Sequence, residues 1–248
     1  MTEKQWKDFS KFKNELKNKI AEWIAAAPEL QELQKFAAEE AKTPLYPFEL
    51  PLVYNLALDD FTPEDEIKLI VIGDNPGKDE QLAKNSRYLV GQAGKIAEGY
   101  FRKNPELGID FRRNVIILNK TPVHSAKTAQ LKTIIKKGGP KIAKLLEESQ
   151  IWMARKTAEL HASLNTELWL VGYSELKAKG IFSSYRETLK KSCPPEAWNR
   201  VYVFQHFSMN RFTIDLADYI KANKKENALL ESNIHELGIL HKNEIFSD

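Results

Sequence analysis

Polar side chains that could take part in a hydrolytic reaction follow three apolar runs of this sequence. Gly73-Asp74-Asn75-Pro76-Gly77 ends the run at residues 68–73, Asn119 ends a second run, and His206-Phe207-Ser208 follows a third. An acid or amide can orient a water molecule, an amide can pair with the edge of a planar heterocycle, and a histidine can stabilise an oxyanion. Together these residues could form a site for a heterocyclic base beside an activated water.

The spacing of apolar residues predicts the elements that bring these segments together. Strands are predicted at residues 68–73, 114–119, 167–172 and 200–205, and helices at 92–103, 128–161 (broken at residues 138–140), 174–191 and 212–222. Alternating strands and helices are typical of a parallel sheet covered by helices. Right-handed crossovers place the strand C-terminal ends at one edge, where such sheets bind ligands. We predict an α/β fold with three αβα layers around a central four-stranded parallel sheet.

The segments outside this pattern are assigned separately. Residues 1–45 form a predicted N-terminal helical extension, 46–225 the α/β domain, and 226–248 a C-terminal tail with one short helix. Apolar residues recur at helical spacing from Trp6 to Ile24, and Pro28 begins a second helix. We interpret the first helix as packed on the main body, with a basic arm against DNA as the alternative.

The composition limits the class of protein. The chain has 248 residues, a net charge of +3 and one cysteine, Cys193, which excludes disulfides within the chain and four-thiolate metal sites. No segment approaches the ~20 apolar residues of a membrane span, and the N-terminus is too charged for a secretory signal. We expect a cytoplasmic protein with no membrane partner. Its charge permits a nucleic-acid partner without requiring one.

Several common site motifs are absent from the sequence. It contains no G-x-G-x-x-G, no G-K-[ST], no G-x-S-x-G and no H-E-x-x-H, and its five histidines show no metal-ligand spacing. These absences argue against a dinucleotide site, a nucleotide-phosphate loop and a metal centre. We therefore expect neither a metal nor an organic cofactor.

Four segments resemble, in order, the motifs of the uracil-DNA glycosylase superfamily. They are Gly73-Asp74-Asn75-Pro76-Gly77 (G-x-[ND]-P-G) followed by Asp79-Glu80, Tyr88-Leu89-Val90-Gly91-Gln92-Ala93-Gly94 (similar to P-F-V-G-x-A-G), the strand that ends in Asn119, and His206-Phe207-Ser208 (a variant of H-P-S). The resemblance covers roughly residues 67–222. It implies a glycosylase-like fold and hydrolysis of the bond between deoxyribose and uracil, or a related damaged base, in DNA. The single cysteine implies a branch without the iron–sulfur cluster.

The resemblance also implies roles for individual residues. Asn75 is the first candidate for orienting the attacking water, and Asp74 is the second. Asn119 would pair with the edge of the extruded base, which Gly73 would help to enclose. His206 would stabilise the negative charge on the departing base.

Three departures from the family pattern affect the predicted site. The stacking phenylalanine of the family aligns with Leu89, so either the preceding Tyr88 stacks on the base or the pocket is apolar and looser. Gly77 replaces a tyrosine that excludes a 5-methyl group in the most uracil-selective branch, which removes that barrier against thymine. Phe207 replaces the proline of the H-P-S loop.

Contacts with DNA are predicted on the flanking loops. Met209 or Arg211 could act as the wedge that replaces the extruded base, and Ser125, Lys127 and Ser208 could hold phosphates. The sequence places no lysine as a Schiff-base nucleophile, so we expect a monofunctional enzyme. Two alternatives remain: a protein that binds nucleic acid or a nucleobase without cleavage, and an unrelated α/β enzyme acting on a small nucleoside.

Overall fold

A four-stranded parallel sheet forms the centre of the protein. The computed structural model describes residues 1–247. The strands are β1 (Leu69–Gly73), β2 (Val115–Asn119), β3 (Glu167–Val171) and β4 (Val201–Phe204). They lie in the order β2-β1-β3-β4, and every neighbouring pair is parallel. Their C-terminal ends therefore share one edge, as predicted.

Helices cover both faces of this sheet. The described residues form α1 (Glu3–Ala26), α2 (Leu30–Glu40), α3 (Gln92–Lys103), α4 (Gln130–Leu164), α5 (Ser183–Ser192), α6 (Pro195–Trp198), α7 (Arg211–Ala222) and α8 (Leu230–Phe246). Within residues 1–247, no helix has the length and apolar character needed to cross a membrane.

Alternating side chains of each strand divide the core into two layers. Ile70 and Ile72 of β1 belong to one hydrophobic cluster, together with buried residues of α1, α2, α4 and α5. Leu69 and Val71 belong to a second cluster, with buried residues of α3, α7 and α8. This period of two is what a strand covered on both faces requires. The three-layer αβα prediction is confirmed.

The first helix is part of the main body. Thr2 and Gln5 form a capping box at its N-terminus, and Gln5 Nε2 donates to the Leu164 carbonyl at the end of α4, over 3.0 Å. The apolar stripe of α1 is buried, and it includes Phe9, whose ring contacts Phe61 edge-on at 5.9 Å between centroids. The structure thus agrees with packing of α1 on the body.

The predicted helix at residues 174–191 is wrong in its first half. A short 3-10 helix (Tyr173–Leu176) is followed by a tight loop before α5 begins at Ser183. At Gly180 a Cβ atom would lie 2.1 Å from the Glu175 carbonyl oxygen, so the loop closes on itself here. A run of polar residues with helical propensity conceals this close backbone contact.

The other deviations concern the tail and the long helix. The tail forms the 17-residue α8, longer than the short helix predicted, and Asp248 lies outside the described residues. Gly238 lets α8 approach β4, because a Cβ there would lie 2.7 Å from Tyr202. The predicted break in the long helix is confirmed as a kink, where Gly139 has φ 69°.

Removal of a buried aromatic ring from α1 should destabilise the whole domain. We expect Phe9→Ala to lower the free energy of unfolding by about 3–5 kcal/mol, because a fully buried ring leaves a cavity. Urea denaturation would measure the change. Lys7→Ala, on the exposed face of the same helix, should change it by less than ~0.5 kcal/mol. Equal effects of the two variants would contradict integral packing of α1.

Candidate functional site

A cleft of about 710 Å³ opens at the edge where the four strands end. Its walls come from the segments after all four strands and from the loop before α3. The cleft brings together most of the predicted site residues: Asp74, Asn75, Gly77, Leu89, Asn119, Ser125, Lys127, His206, Ser208, Met209 and Arg211. Gly73 and Tyr88 are not in its lining.

Asp74 is held in one orientation at the end of β1. Its Oδ1 accepts a hydrogen bond from Lys120 Nζ at 2.6 Å, and Thr128 Oγ1 donates to its Oδ2 at 3.3 Å. Gly172, with φ 90°, leaves room for this carboxylate, since a Cβ there would lie 2.3 Å from Oδ1. The carboxylate remains partly exposed to the cleft.

Lys120 is a lysine at the site that the sequence analysis missed. It follows Asn119 directly, and its side chain is 0% exposed. Its Nζ also donates to the Val171 carbonyl at 2.6 Å and to the Gly73 carbonyl at 3.4 Å. Burial lowers the pKa of Lys120, and the Asp74 carboxylate opposes that shift. A lysine therefore lies beside the candidate reacting groups, with its amine bonded to acceptors in the interior.

Asn75 braces two loops against each other. Its Nδ2 donates to Ser125 Oγ at 2.9 Å and to the carbonyl oxygens of Ser125 and Pro76 at 3.2 Å. Ser125 Oγ in turn donates to the Lys127 carbonyl. The amide donors of Asn75 and the hydroxyl of Ser125 are thus engaged within the protein.

Asn119 presents an unsatisfied amide to the cleft. The residue is 2% exposed, and within residues 1–247 its Nδ2 has no hydrogen-bond partner. Gly73 packs behind it, because a Cβ at that position would lie 2.5 Å from Asn119 Oδ1. A buried donor without a partner costs free energy, so this amide is suited to a ligand acceptor. Gly73 therefore packs against Asn119 and lies outside the lining of the cleft.

His206 is fixed as a neutral donor. The Ser208 backbone N–H donates to His206 Nδ1 at 3.1 Å, and Ser208 Oγ lies 2.9 Å from the same nitrogen. Burial lowers the pKa of His206, so the neutral ring dominates at neutral pH. Because Nδ1 accepts, the ring proton is on Nε2.

Phe207 explains the departure from the H-P-S pattern. Its ring is fully buried, 5.2 Å from Phe212 and 6.4 Å from Phe111 between centroids. This anchor shapes the loop where the family has proline. Two residues later, Met209 is 74% exposed with φ 52°, a left-handed conformation that is rare for a side chain of this size.

The predicted stacking aromatic is outside the cleft. Tyr88 is 1% exposed, and its hydroxyl donates to the Val53 carbonyl at 2.6 Å, so it anchors its loop to the core. Leu89 takes the cleft position instead. Its backbone N–H donates to Glu80 Oε1 at 3.0 Å, and its φ is 50°. The structure thus places Leu89, and not the Tyr88 ring, against the cleft, whose other lining residues are largely polar.

Exposed cations surround the mouth of the cleft. Lys78, Lys127 and Arg211 are exposed and line it together with one exposed carboxylate, Asp79, while the carboxylates of Asp74 and Glu80 are less exposed. Such a rim suits a polyanionic backbone. Ser125 is 3% exposed and internally bonded, so of the predicted phosphate contacts Lys127 is the accessible one on that loop.

One group of potential metal ligands occurs in the described residues, away from this cleft. Ligand atoms of Glu167, Glu231 and His235 lie within 4.8 Å of one another at the start of β3, the opposite end of the sheet. His235 Nε2 and Glu167 Oε1 already pair at 2.6 Å. The group is accounted for as a surface ion pair.

Comparison of the chain with family models, with curated proteins and with solved structures finds no match.

Glu80 should make stability depend on pH. Burial raises the pKa of Glu80 from 4.5 to about 7, against the hydrogen bonds that it accepts from the Gly77 and Leu89 N–H groups. The folded protein thus holds this proton more tightly than the unfolded chain, so the stabilisation is full below pH 4.5 and is lost as pH rises through 7.

Relative to Glu80→Gln, we expect the wild-type free energy of unfolding to fall by roughly 3 kcal/mol across that range. Urea denaturation of both proteins at a series of pH values would measure the difference. A difference that is constant with pH would contradict the assignment.

Proposed function

We propose that the protein is a monofunctional DNA glycosylase that hydrolyses the N-glycosidic bond of uracil or a related damaged base. The observation that carries the proposal is the buried, unpartnered amide of Asn119 in one cleft with the Asp74 carboxylate and the neutral His206. These groups match the three needs of the reaction: recognition of a base edge, orientation of water, and stabilisation of the leaving anion.

Asp74 orients the attacking water in this proposal. Asn75 was the first candidate from the sequence; its amide donors bind the Ser125 loop, and Asp74 is preferred because its carboxylate offers water a charged acceptor. Asp74 has one oxygen held by Lys120 and the other directed toward Thr128 at the cleft wall. Its negative charge would also stabilise the cation-like sugar that forms as the base leaves.

His206 donates from Nε2 to the carbonyl oxygen of the departing base. A neutral imidazole with its proton on Nε2 is already in the required form, because Ser208 occupies Nδ1. Asn119 Nδ2 donates to a second base acceptor, and its Oδ1 can accept from a ring N–H. Uracil presents such a combination of carbonyl and ring N–H groups.

DNA is the proposed macromolecular partner. The exposed cations Lys78, Lys127 and Arg211 would neutralise phosphates around the cleft mouth. A target base within a duplex must be rotated out of the stack to enter the cleft. The free, buried Cys193 accords with the reducing cytoplasm that we propose as its location.

Base release is the decisive measurement. The protein would be incubated with labelled oligonucleotides that carry one uracil, hypoxanthine or xanthine, as single strands and in mismatched duplexes, and alkali would reveal abasic sites. We expect release from uracil first. Asp74→Asn and His206→Ala should each reduce the rate on the order of 10²–10³-fold, because each removes a group that acts on the transition state.

Asp79→Asn is the matched control, since it neutralises an exposed carboxylate in the same cleft. It should keep near-wild-type activity. Absence of release from every substrate, with DNA binding intact, would replace the enzyme proposal with a nucleic-acid-binding protein. Turnover of free nucleosides with no effect of DNA would point to a nucleoside enzyme.

Met209 should matter for duplex substrates in particular. Its exposed side chain at the cleft rim can fill the gap left by an extruded base. We expect Met209→Ala to slow release from duplex DNA on the order of tenfold and release from single strands by less than about twofold, because single strands need no unstacking from a partner. Equal losses on both substrates would contradict a wedge role.

A further inference from the structure

We propose that Lys120 is a positioning residue that sets the charge pattern of the cleft, holding Asp74 as an oriented carboxylate and offsetting the negative charge that Asp74 exerts on His206. The inference rests on the proposed glycosylase function for its catalytic meaning. The arrangement of charges can be tested without any assay of catalysis.

The acceptors around Lys120 match an ammonium group. Its Nζ has three acceptors, namely Asp74 Oδ1 and the Val171 carbonyl at 2.6 Å and the Gly73 carbonyl at 3.4 Å. An ammonium has three N–H donors, whereas a neutral amine has two. The side chain is 0% exposed, so water cannot replace a missing partner. The protonated form therefore satisfies the site completely.

Lys120 also determines which oxygen of the Asp74 carboxylate is available to bind water. Because Oδ1 of Asp74 is bound to Lys120 and pressed against Gly172, the carboxylate cannot rotate freely. Its Oδ2 is left with the weaker 3.3 Å contact from the Thr128 hydroxyl. A water molecule in the cleft thus meets one defined oxygen. Preorganisation of this kind is what positions a nucleophile for attack.

Burial and two opposite charges act on the pKa of His206. Burial lowers the pKa of His206, the Asp74 carboxylate raises it, and the Lys120 ammonium lowers it. Lys120 itself is faced by Asp74 and Glu175, and its Nζ lies 5.1 Å from the Phe182 ring centroid. Without Lys120, only burial would oppose the effect of the Asp74 charge on the pKa of His206.

Protonation of His206 would damage the loop as well as the chemistry. A proton on Nδ1 would face the Ser208 N–H, which donates to that nitrogen in the neutral ring. Two donors directed at each other repel, so the Ser208 turn would open. The neutral state therefore maintains both the Nε2 donor and the shape of the loop.

The first test is an NMR titration of His206, followed through its Cε1–H signal, which would be assigned by its loss in His206→Asn. We expect the pKa of His206 to rise on the order of one pH unit in Lys120→Met. It should stay near the wild-type value in Lys127→Met, which removes an exposed, solvent-screened cation from the same cleft. Equal titration of the wild type and Lys120→Met would overturn the proposal.

A second variant keeps the test valid if Lys120→Met does not fold. Asp74→Asn leaves the Lys120 ammonium acting on His206 alone, so the pKa of His206 should fall below the wild-type value. An unchanged or raised value in Asp74→Asn would overturn the proposal. Opposite shifts in the two variants are not expected from a lysine that serves stability alone.

Kinetics connect this charge pattern to catalysis. On uracil-containing DNA, Lys120→Met should lower kcat on the order of 10²-fold with KM within about threefold of wild type, whereas Lys127→Met should act mainly on KM. A loss in Lys120→Met confined to KM would overturn the positioning role. If the wild type releases no base, the glycosylase proposal fails, while the titration still decides whether Lys120 controls His206.

Discussion

The buried ammonium of Lys120 is the interaction on which the functional edge of this fold depends. A charged amine that is removed from water is tolerated only where acceptors replace its hydration. Here the acceptors are the last carbonyl of β1, the last carbonyl of β3 and the Asp74 carboxylate. Because Lys120 itself follows β2, one side chain joins the ends of three strands. The buried Lys120 ammonium, which needs acceptors within the fold, thus fixes the position of the Asp74 carboxylate in the cleft.

Hydrogen bonds of buried polar groups also fix the other loops that form the walls of the cleft. Asn75 connects the β1 loop to the Ser125 loop, and Glu80 accepts N–H groups from Gly77 and Leu89. Each of these bonds satisfies a backbone or side-chain group that burial would otherwise leave without water. These loops are therefore connected to one another and to the body through side-chain hydrogen bonds. Against this background the unpartnered Asn119 Nδ2 is the exception that a ligand would satisfy.

The sequence was sufficient for features set by local periodicity. The four strands and the helix at residues 92–103 were predicted within one or two residues, since apolar spacing follows directly from burial on two faces or one. The convergence of the polar segments followed from parallel topology. The orientation of Tyr88 could not be predicted in this way, because an aromatic residue beside a pocket motif can face either the ligand or the core. Its hydroxyl found a partner in Val53, 35 residues away in the chain.

Lys120 shows most clearly what a single sequence conceals. A lysine after a strand is usually an exposed cation, and its immediate neighbours Asn119 and Thr121 are polar, so the local sequence gives no sign of its burial. Its partners lie 46 residues upstream and 51 residues downstream, and no periodic pattern links them. The chemistry of the cleft follows from that long-range pairing. A partly buried acid beneath a rim with three exposed cations separates the charges of the cleft by depth, and this separation would suit the proposed hydrolysis at a base in DNA, where the polyanion meets the rim and the acid faces the sugar carbon.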